Sequence, residues 1–129
     1  MPADITVTVP ARPEFVHVLR TVVASVASRL DLGYDAIDEL RIVVDEACGL
    51  LLRLPSAGPV LFLRASLEKD SVELTACLEA EPDDWPAPRA EQGLAWRVLA
   101  GLTDEATFVR WDGRPAVRVS KRIEPVGVR

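Results

Sequence analysis

The chain has little cysteine and histidine, no long apolar run and no excess of positive charge. Its 129 residues include only two cysteines, Cys48 and Cys77, and one histidine, His17. These are too few side chains for a common zinc site. Two cysteines without a Cys-x-x-Cys spacing are typical of buried thiols in a cytosolic protein, and a single disulfide is the alternative. Apolar runs such as 49–52 fall far short of the roughly 20 residues that a membrane span requires.

Acidic residues outnumber basic ones, 20 Asp and Glu against 15 Lys and Arg, for a formal net charge of -5. Nucleic-acid binding depends on Lys and Arg at the phosphates, so we expect no direct DNA or RNA ligand. The first residues lack the basic and apolar regions of a secretory signal, and we expect a cytoplasmic protein without membrane contact. With 49% apolar and 27% charged residues, we expect a single domain over residues 1–129.

Alternating and β-branched apolar residues predict five strands, at 4–9, 60–67, 72–79, 105–111 and 116–121. The dipeptide Asp112-Gly113 is a strong hairpin turn between the last two strands. A proline-rich loop is expected at 81–92, long enough to be functional. Hairpins beside clustered helices predict an α+β fold, a two-layer sandwich with helices on one face of a mixed sheet.

Three helices are predicted between these strands. The first runs from Pro13 to about residue 32, the second from an Asp35 N-cap to about Arg53, before Pro55, and the third over 94–102. Helical spacing predicts two apolar faces toward the core. The first consists of Phe15, Val18, Leu19, Val22, Val26 and Leu30, and the second of Ile37, Leu40, Val43, Val44, Ala47, Leu50 and Leu51.

Two short segments carry side chains or backbone suited to chemistry. Asp45 and Glu46 are adjacent carboxylates within the second helix, and the simpler interpretation places them on its solvent edge, because burial would require partners. Gly93 directly precedes the third helix. A glycine there allows backbone N–H groups to meet a phosphate, but it is equally compatible with an ordinary loop.

With these segments in this order, the chain resembles the anti-sigma factor and serine-protein kinase family of the RsbW and SpoIIAB type, and most of all its actinobacterial anti-sigma-F branch. Residues 36–52 match a Glu-Ala-Cys-x-Asn helix, Gly93-Leu94-Ala95-Trp96 matches Gly-Leu-Gly-Leu, and 102–105 matches Leu-x-Asp-Glu. The resemblance implies the Bergerat (GHKL, histidine-kinase-like ATPase) fold, ATP and Mg²⁺ as cofactors, and a homodimer. The implied partners are a sigma factor and a STAS-domain anti-anti-sigma factor.

The resemblance assigns roles at individual positions. Glu46 matches the general base for phosphoryl transfer, whereas Leu50 stands where the family has an Asn that binds Mg²⁺, a cation that takes oxygen ligands. Leu78 stands at the adenine-binding Asp and Ala80 at the following Gly. Gly93 and Leu94 are kept at the nucleotide lid, but Ala95 adds a methyl where the backbone must approach a phosphate.

These departures predict weak ATP binding or none, and a vestigial base in Glu46. The prediction is therefore an anti-sigma factor with a degenerate nucleotide site. The alternative is an active serine-protein kinase that phosphorylates its STAS antagonist. A third possibility is an unrelated α+β domain whose motif matches are accidental.

Arg20 in the first helix matches a family arginine at the docking face for sigma factor and antagonist; an ordinary solvated arginine is the alternative. Trp85, Trp96 and Trp111 suit either an interface or the edge of the core. His17 is interpreted as structural or exposed rather than catalytic.

Overall fold

The computed structural model describes residues 3–30, 32–54, 57–68, 70–80 and 84–123. Its strands are β1 (Ala3–Pro10), β2 (Ala57–Leu67), β3 (Ser71–Ala80), β4 (Glu105–Trp111) and β5 (Arg114–Arg122). The helices are α1 (Val16–Arg29), α2 (Tyr34–Leu52) and α3 (Leu94–Leu102), with short 3-10 turns at Pro13–Phe15 and Ala90–Gln92. The predicted α+β class is confirmed. Pro55, Glu81 and Pro82, which entered the sequence predictions, lie outside the described residues.

The five strands form one sheet in the order β1-β2-β3-β5-β4, and every neighbouring pair is antiparallel. The prediction of a mixed sheet was therefore wrong. The helices α1 and α2 form a hairpin that connects β1 to β2. It returns the chain to the end of the sheet where β1 finishes, and there Pro10 is the register partner of Val60. The connection through α3 leaves β4 parallel to β3. These two strands are not neighbours, because β5 lies between them and pairs antiparallel with both.

Side chains alternate between the two faces of the sheet, and only one face is packed under the helices. One row of register partners on that face crosses all five strands: Val7, Leu63, Ala76, Val117 and Phe108. These residues belong to or pack against one core cluster that includes buried side chains of α1, α2 and α3. The arrangement is a helix layer on a sheet layer. The other face, called the open face below, carries no helix among the described residues.

The helices differ from the sequence prediction in two places, the buried face of α1 and the N-cap of α2. In α1 the buried residues are Val16, Leu19, Val23, Ala24 and Ala27. Val18 is 40% exposed, because it lies to one side of the helix face that Leu19, Val23 and Ala27 bury in the core. The N-cap of α2 is Gly33, whose carbonyl accepts the first helical hydrogen bond from Ile37, and Asp35 lies within the first turn instead.

A polar cluster fixes the C-terminal end of α3. The Lys121 ammonium donates to the carbonyl of Leu102 at 2.8 Å and pairs with Glu39 of α2 at 2.8 Å. The Thr103 hydroxyl donates to the carbonyl of Leu99 at 2.6 Å. Orphan carbonyls at a helix C-terminus favour such cationic partners, so this cluster holds α3 in place between α2 and β5.

Candidate functional site

The predicted general base lies at the edge of α2. Glu46 and its neighbour Asp45 are half-buried, while Val44, Ala47 and Cys48 of the same helix are buried in the core. The solvent-edge interpretation of the two carboxylates therefore describes their position well. One turn after Glu46, Leu50 is half-buried and packs against the core cluster. Its hydrocarbon side chain offers no lone pair on this side of the helix.

The predicted phosphate-binding turn begins α3, which packs against α2. Gly93 is the N-cap with φ -75° and ψ 158°, a conformation open to any residue, and an added Cβ would meet the Ala90 carbonyl oxygen at 3.4 Å. Leu94 is 77% exposed, whereas Ala95 is buried at 6% exposure. The methyl of Ala95 thus belongs to the protein interior.

The end of β3 is apolar on the face that the helices cover. Leu78 is fully buried and Ala80 nearly so, and both belong to the core cluster. The adjacent Glu79 points to the opposite face and is half-buried. The position at which the resemblance expects an adenine-binding carboxylate is therefore occupied by a core leucine.

An aromatic cluster fastens the segment after β3 to the edge of the sheet. The Trp85 indole Nε1 donates to the carbonyls of Val109 at 2.9 Å and Ala116 at 3.2 Å, which are register partners on β4 and β5. Its ring stands edge-on to Phe108, with centroids 5.2 Å apart. The Trp96 ring of α3 stacks on the Phe108 ring, with centroids 4.3 Å apart. Phe108 escaped the sequence analysis, because nothing local distinguishes it from an ordinary core residue.

Arg20 is not an isolated surface arginine. Its guanidinium pairs with Asp45 of α2, with Nε 3.2 Å from one carboxylate oxygen and Nη1 3.4 Å from the other. Both side chains are partly exposed, at 38% and 43%. Sequence analysis missed this pair because 25 residues separate the partners, and only the packing of α1 against α2 brings them together. His17, one turn before Arg20, is exposed, as predicted.

The remaining tryptophan belongs to the open face. The rings of Trp111 and Phe62 are 6.4 Å apart, and the Arg64 and Arg114 guanidinium groups lie over these two rings. Arg64 also pairs with Asp4 at 2.7 Å, and this hydrogen bond lowers the pKa of the Asp4 carboxyl. The aromatic pair covers Cys77, which is free and buried like Cys48.

Metal-binding clusters and membrane-spanning helices are both absent from the described part of the chain. No group of three His, Cys, Asp or Glu side chains there could hold a metal ion. No helix among these residues combines the length and the apolar character that crossing a membrane requires.

Comparison with known proteins gives a consistent result. Over 106 residues, 82% of this chain, the sequence is 35% identical to the anti-sigma-F factor RsbW of Mycobacterium tuberculosis, and the match covers 61% of that protein. Over 93 residues it is 34% identical to the serine-protein kinase RsbW of Halalkalibacterium halodurans, of which 57% is covered. The chain thus spans about three fifths of the length of these curated relatives, 61% and 57%.

A shorter match, 50% identical over 40 residues, is to the serine-protein kinase RsbW of Bacillus subtilis. No family profile matches the chain. The identities extend well beyond the short motifs around Glu46 and Gly93, so those motif matches are not accidental. At 34–35% identity over most of this chain, these relatives support the RsbW and SpoIIAB family as the family of the chain.

Proposed function

We propose that this chain is an anti-sigma factor that binds and sequesters a stress-type sigma factor in the cytoplasm, and that a STAS-domain anti-anti-sigma factor counters it. A relative named anti-sigma-F factor supports the first part. The observation that carries the proposal is the packing of Leu50 against the core, where the family has its magnesium-binding Asn. With that amide replaced by hydrocarbon, binding rather than phosphoryl transfer becomes the chemistry available to this chain.

The proposed fold family is the GHKL, or Bergerat, sandwich. Three features support it: the element order, the helix layer on one face of the five-stranded sheet, and the relatives named RsbW. In such a fold a nucleotide would bind between the helices and the covered face of the sheet. The three segments that would contact it are the end of α2, the end of β3 and the start of α3.

The side chains in these three segments do not fit ATP and Mg²⁺. Leu50 and Leu78 offer neither an oxygen ligand for a hard cation nor an acceptor for an adenine amino group. Ala95, in the first turn of α3, is buried. The Trp85 indole hydrogen-bonds the segment after β3 to β4 and β5. We therefore propose a degenerate nucleotide site in which Glu46 is a vestigial base.

The sigma-binding part of the proposal is tested with purified proteins. Each stress-type sigma factor encoded in the genome of the source bacterium is titrated with the chain by calorimetry, and competition with core RNA polymerase is measured in parallel. We expect one sigma factor to bind and to be withheld from the polymerase. Failure of every sigma factor in this panel to bind would refute the proposal.

An active serine-protein kinase is the second candidate, favoured by the retained Glu46 and by relatives named serine-protein kinase RsbW. A thermal-shift titration with Mg-ATP separates the two candidates, because a ligand that binds the folded state raises the melting temperature with its concentration. A degenerate site predicts no rise. The variant Leu50→Asn restores the missing ligand and is expected to gain no nucleotide binding by calorimetry, since Leu78 and Ala95 remain. A clear rise for the wild type would support the kinase.

We also propose that the chain forms a homodimer through the open face of the sheet. Apolar surface there comes from Phe62, Val109 and Trp111. Positively charged arginines and negatively charged carboxylates lie around them. A two-fold arrangement of such a face lets each sign meet its opposite. Sedimentation analysis over a concentration series should show a dimer that Trp111→Ala weakens. A monomer at all concentrations would contradict the proposal.

A further inference from the structure

The segment that precedes α3, residues 84–92, is attached to the sheet through one side chain. Trp85 is half-buried and packs against the core cluster, whereas residues 84, 86–89, 91 and 92 are exposed. Backbone hydrogen bonds such as that from the Gln92 N–H to the Arg89 carbonyl join residues within the segment. Among the described residues, the two hydrogen bonds that join it to the sheet both come from the Trp85 indole. This segment is called the strap below.

The Trp85 ring enters a site that other parts of the chain hold in place. Phe108 forms its apolar wall, and the stacking of Trp96 on Phe108 does not involve the strap. The two acceptors, the carbonyls of Val109 and Ala116, are register partners in the hairpin of β4 and β5. A carbonyl oxygen has two lone pairs, so each can accept the indole N–H in addition to a strand hydrogen bond. The site is therefore built without any group of the strap.

Such a site has the usual composition of a small-molecule pocket, an apolar wall with a few placed polar groups. The aromatic wall suits any flat ring, because edge-to-face contact depends on the ring and not on its substituents. The two carbonyls accept only from a donor, so they select a ring that carries an N–H group. Both acceptors lie outside the three segments proposed above to contact a nucleotide.

We propose that Trp85 is a tethered ligand in a binding site for an indole or another flat aromatic molecule with a ring N–H donor. A free ligand of this class releases the strap by taking the place of Trp85. The inference goes beyond the proposed anti-sigma function and does not depend on it. Its tests use the chain alone, so the absence of sigma binding would leave them unaffected.

Tethering decides which ring occupies the site at a given concentration of free ligand. A ring on a short flexible segment has an effective concentration in the millimolar range. A free ligand as small as indole binds with a dissociation constant on the order of 1 mM. The strap therefore stays closed at low ligand concentration and opens when the free ligand exceeds the effective concentration of Trp85.

The first test empties the site and refills it. Trp85→Ala is titrated by calorimetry with indole and with 1-methylindole, in which a methyl group replaces the donor hydrogen. We expect indole to bind this variant at least about fivefold more tightly than 1-methylindole, the effect of one hydrogen bond. The wild type should bind indole at least about tenfold more weakly than the variant, because Trp85 competes. No binding of indole to the variant, or equal binding of the two compounds, would overturn the inference.

The matched control removes the other indole on Phe108. The Trp96 ring nitrogen makes no hydrogen bond among the described residues, so Trp96→Ala leaves a space without the two acceptors. This variant should not distinguish indole from 1-methylindole, and equal discrimination by both variants would contradict the role of the carbonyls. If Trp85→Ala does not fold alone, its refolding is followed by circular dichroism with each compound. Better recovery with indole supports the inference, and no recovery, or equal recovery with both compounds, contradicts it.

The second test measures release of the strap in the wild type. Arg89 is exposed within the strap, and tryptic cleavage after it should speed up as indole is added, because the displaced segment reaches the protease more often. Trp85→Ala already lacks the attachment, so its cleavage rate should not respond, and this variant also reports any effect of indole on trypsin. If indole binds the wild type without changing the cleavage rate, Trp85 is not displaced and the inference is wrong.

Discussion

Phe62 and Trp111 lean toward each other across two intervening strands of the sheet. Phe62 lies on β2 and Trp111 on β4, with β3 and β5 between them, yet their ring centroids are only 6.4 Å apart. Neighbouring strands are about 4.8 Å apart, so three spacings separate β2 from β4. The two rings can come this close only if both side chains lie flat over the strands between them. Beneath them Cys77 and Ala116 are register partners with 1% and 0% exposure. The aromatic pair therefore takes the place of a helix layer over this part of the open face.

The first prediction concerns the thiol under this pair. Trp111→Ala should make Cys77 reactive toward iodoacetamide at pH 8, while Cys48, buried by the helices, stays protected in the same molecule. Peptide mass spectrometry of the alkylated protein measures both sites. Loss of protection at both cysteines would indicate general unfolding, and protection of both would show that other side chains cover Cys77.

The second prediction concerns stability at alkaline pH. Burial raises the pKa of the Cys48 thiol to about 12, with the negative charge of Asp45 adding to the effect. Burial also raises the pKa of Cys77 to about 11, although Arg114 opposes it. In the unfolded chain a thiol ionises near a pKa of about 8.5. As the pH rises, the thiols of the unfolded chain therefore lose their protons before the thiols of the folded chain do. The stability that the two protonated thiols contribute is complete below a pH of about 8.5 and is lost as the pH rises through their folded pKa values.

Above pH 9 each thiol should lower the free energy of unfolding by up to about 1.4 kcal/mol per pH unit. Urea unfolding from pH 7.5 to 10.5 measures this for the wild type and for the double variant Cys48→Ala, Cys77→Ala. The wild type should lose stability more steeply than the variant. Parallel curves would mean that the thiols ionise alike in the folded and unfolded states.

The third prediction concerns the anchor of residues 84–92. Trp85→Phe keeps a ring against Phe108 but removes two hydrogen bonds, and should cost about 1–2 kcal/mol of unfolding free energy. Trp85→Ala should cost about 2–4 kcal/mol and speed tryptic cleavage after the exposed Arg89. Trp96→Phe, which preserves the stacking, is the control and should cost less than about 1.5 kcal/mol. Unchanged cleavage in Trp85→Ala would show that this indole does not hold the segment.

The fourth prediction compares two glycines. A Cβ at Gly58 in β2 would lie 2.1 Å from the backbone carbonyl oxygen of Glu79, next to a shift in strand register, so Gly58→Ala should destabilise the protein by about 1–3 kcal/mol. Gly101 in α3 has no such neighbour, and Gly101→Ala should stabilise it by up to about 1 kcal/mol. Urea unfolding of both variants gives the two signs, and a stable Gly58→Ala would mean that β2 and β3 separate easily there.

Periodicity and turn chemistry were sufficient to predict the elements. The third helix is observed over the predicted residues, and Asp112-Gly113 makes the predicted hairpin. The sheet was harder to predict, because the insertion of β5 between β3 and β4 depends on pairing far along the chain. The α2 cap was misassigned, because Gly33 supplies its backbone carbonyl where a side chain was expected.

The site was predictable in its residues but not in its contacts. Glu46 and Leu50 could be chosen from the helix pattern and the resemblance. The Arg20–Asp45 pair, the bonds of Trp85 and the cover over Cys77 all join residues distant in sequence, where no local pattern carries a signal. Their energies depend on which surfaces the fold brings together.

The placement of the three tryptophans gives this protein two independent optical probes. Trp85 and Trp96 share Phe108 at the edge of the helix layer, whereas Trp111 lies on the opposite side of the sheet. Indole emission responds to the polarity around the ring, so fluorescence of Trp111→Phe reports only on the helix side. Its difference from wild-type emission isolates events on the open face, and a ligand can thereby be assigned to one side of the molecule without any added dye.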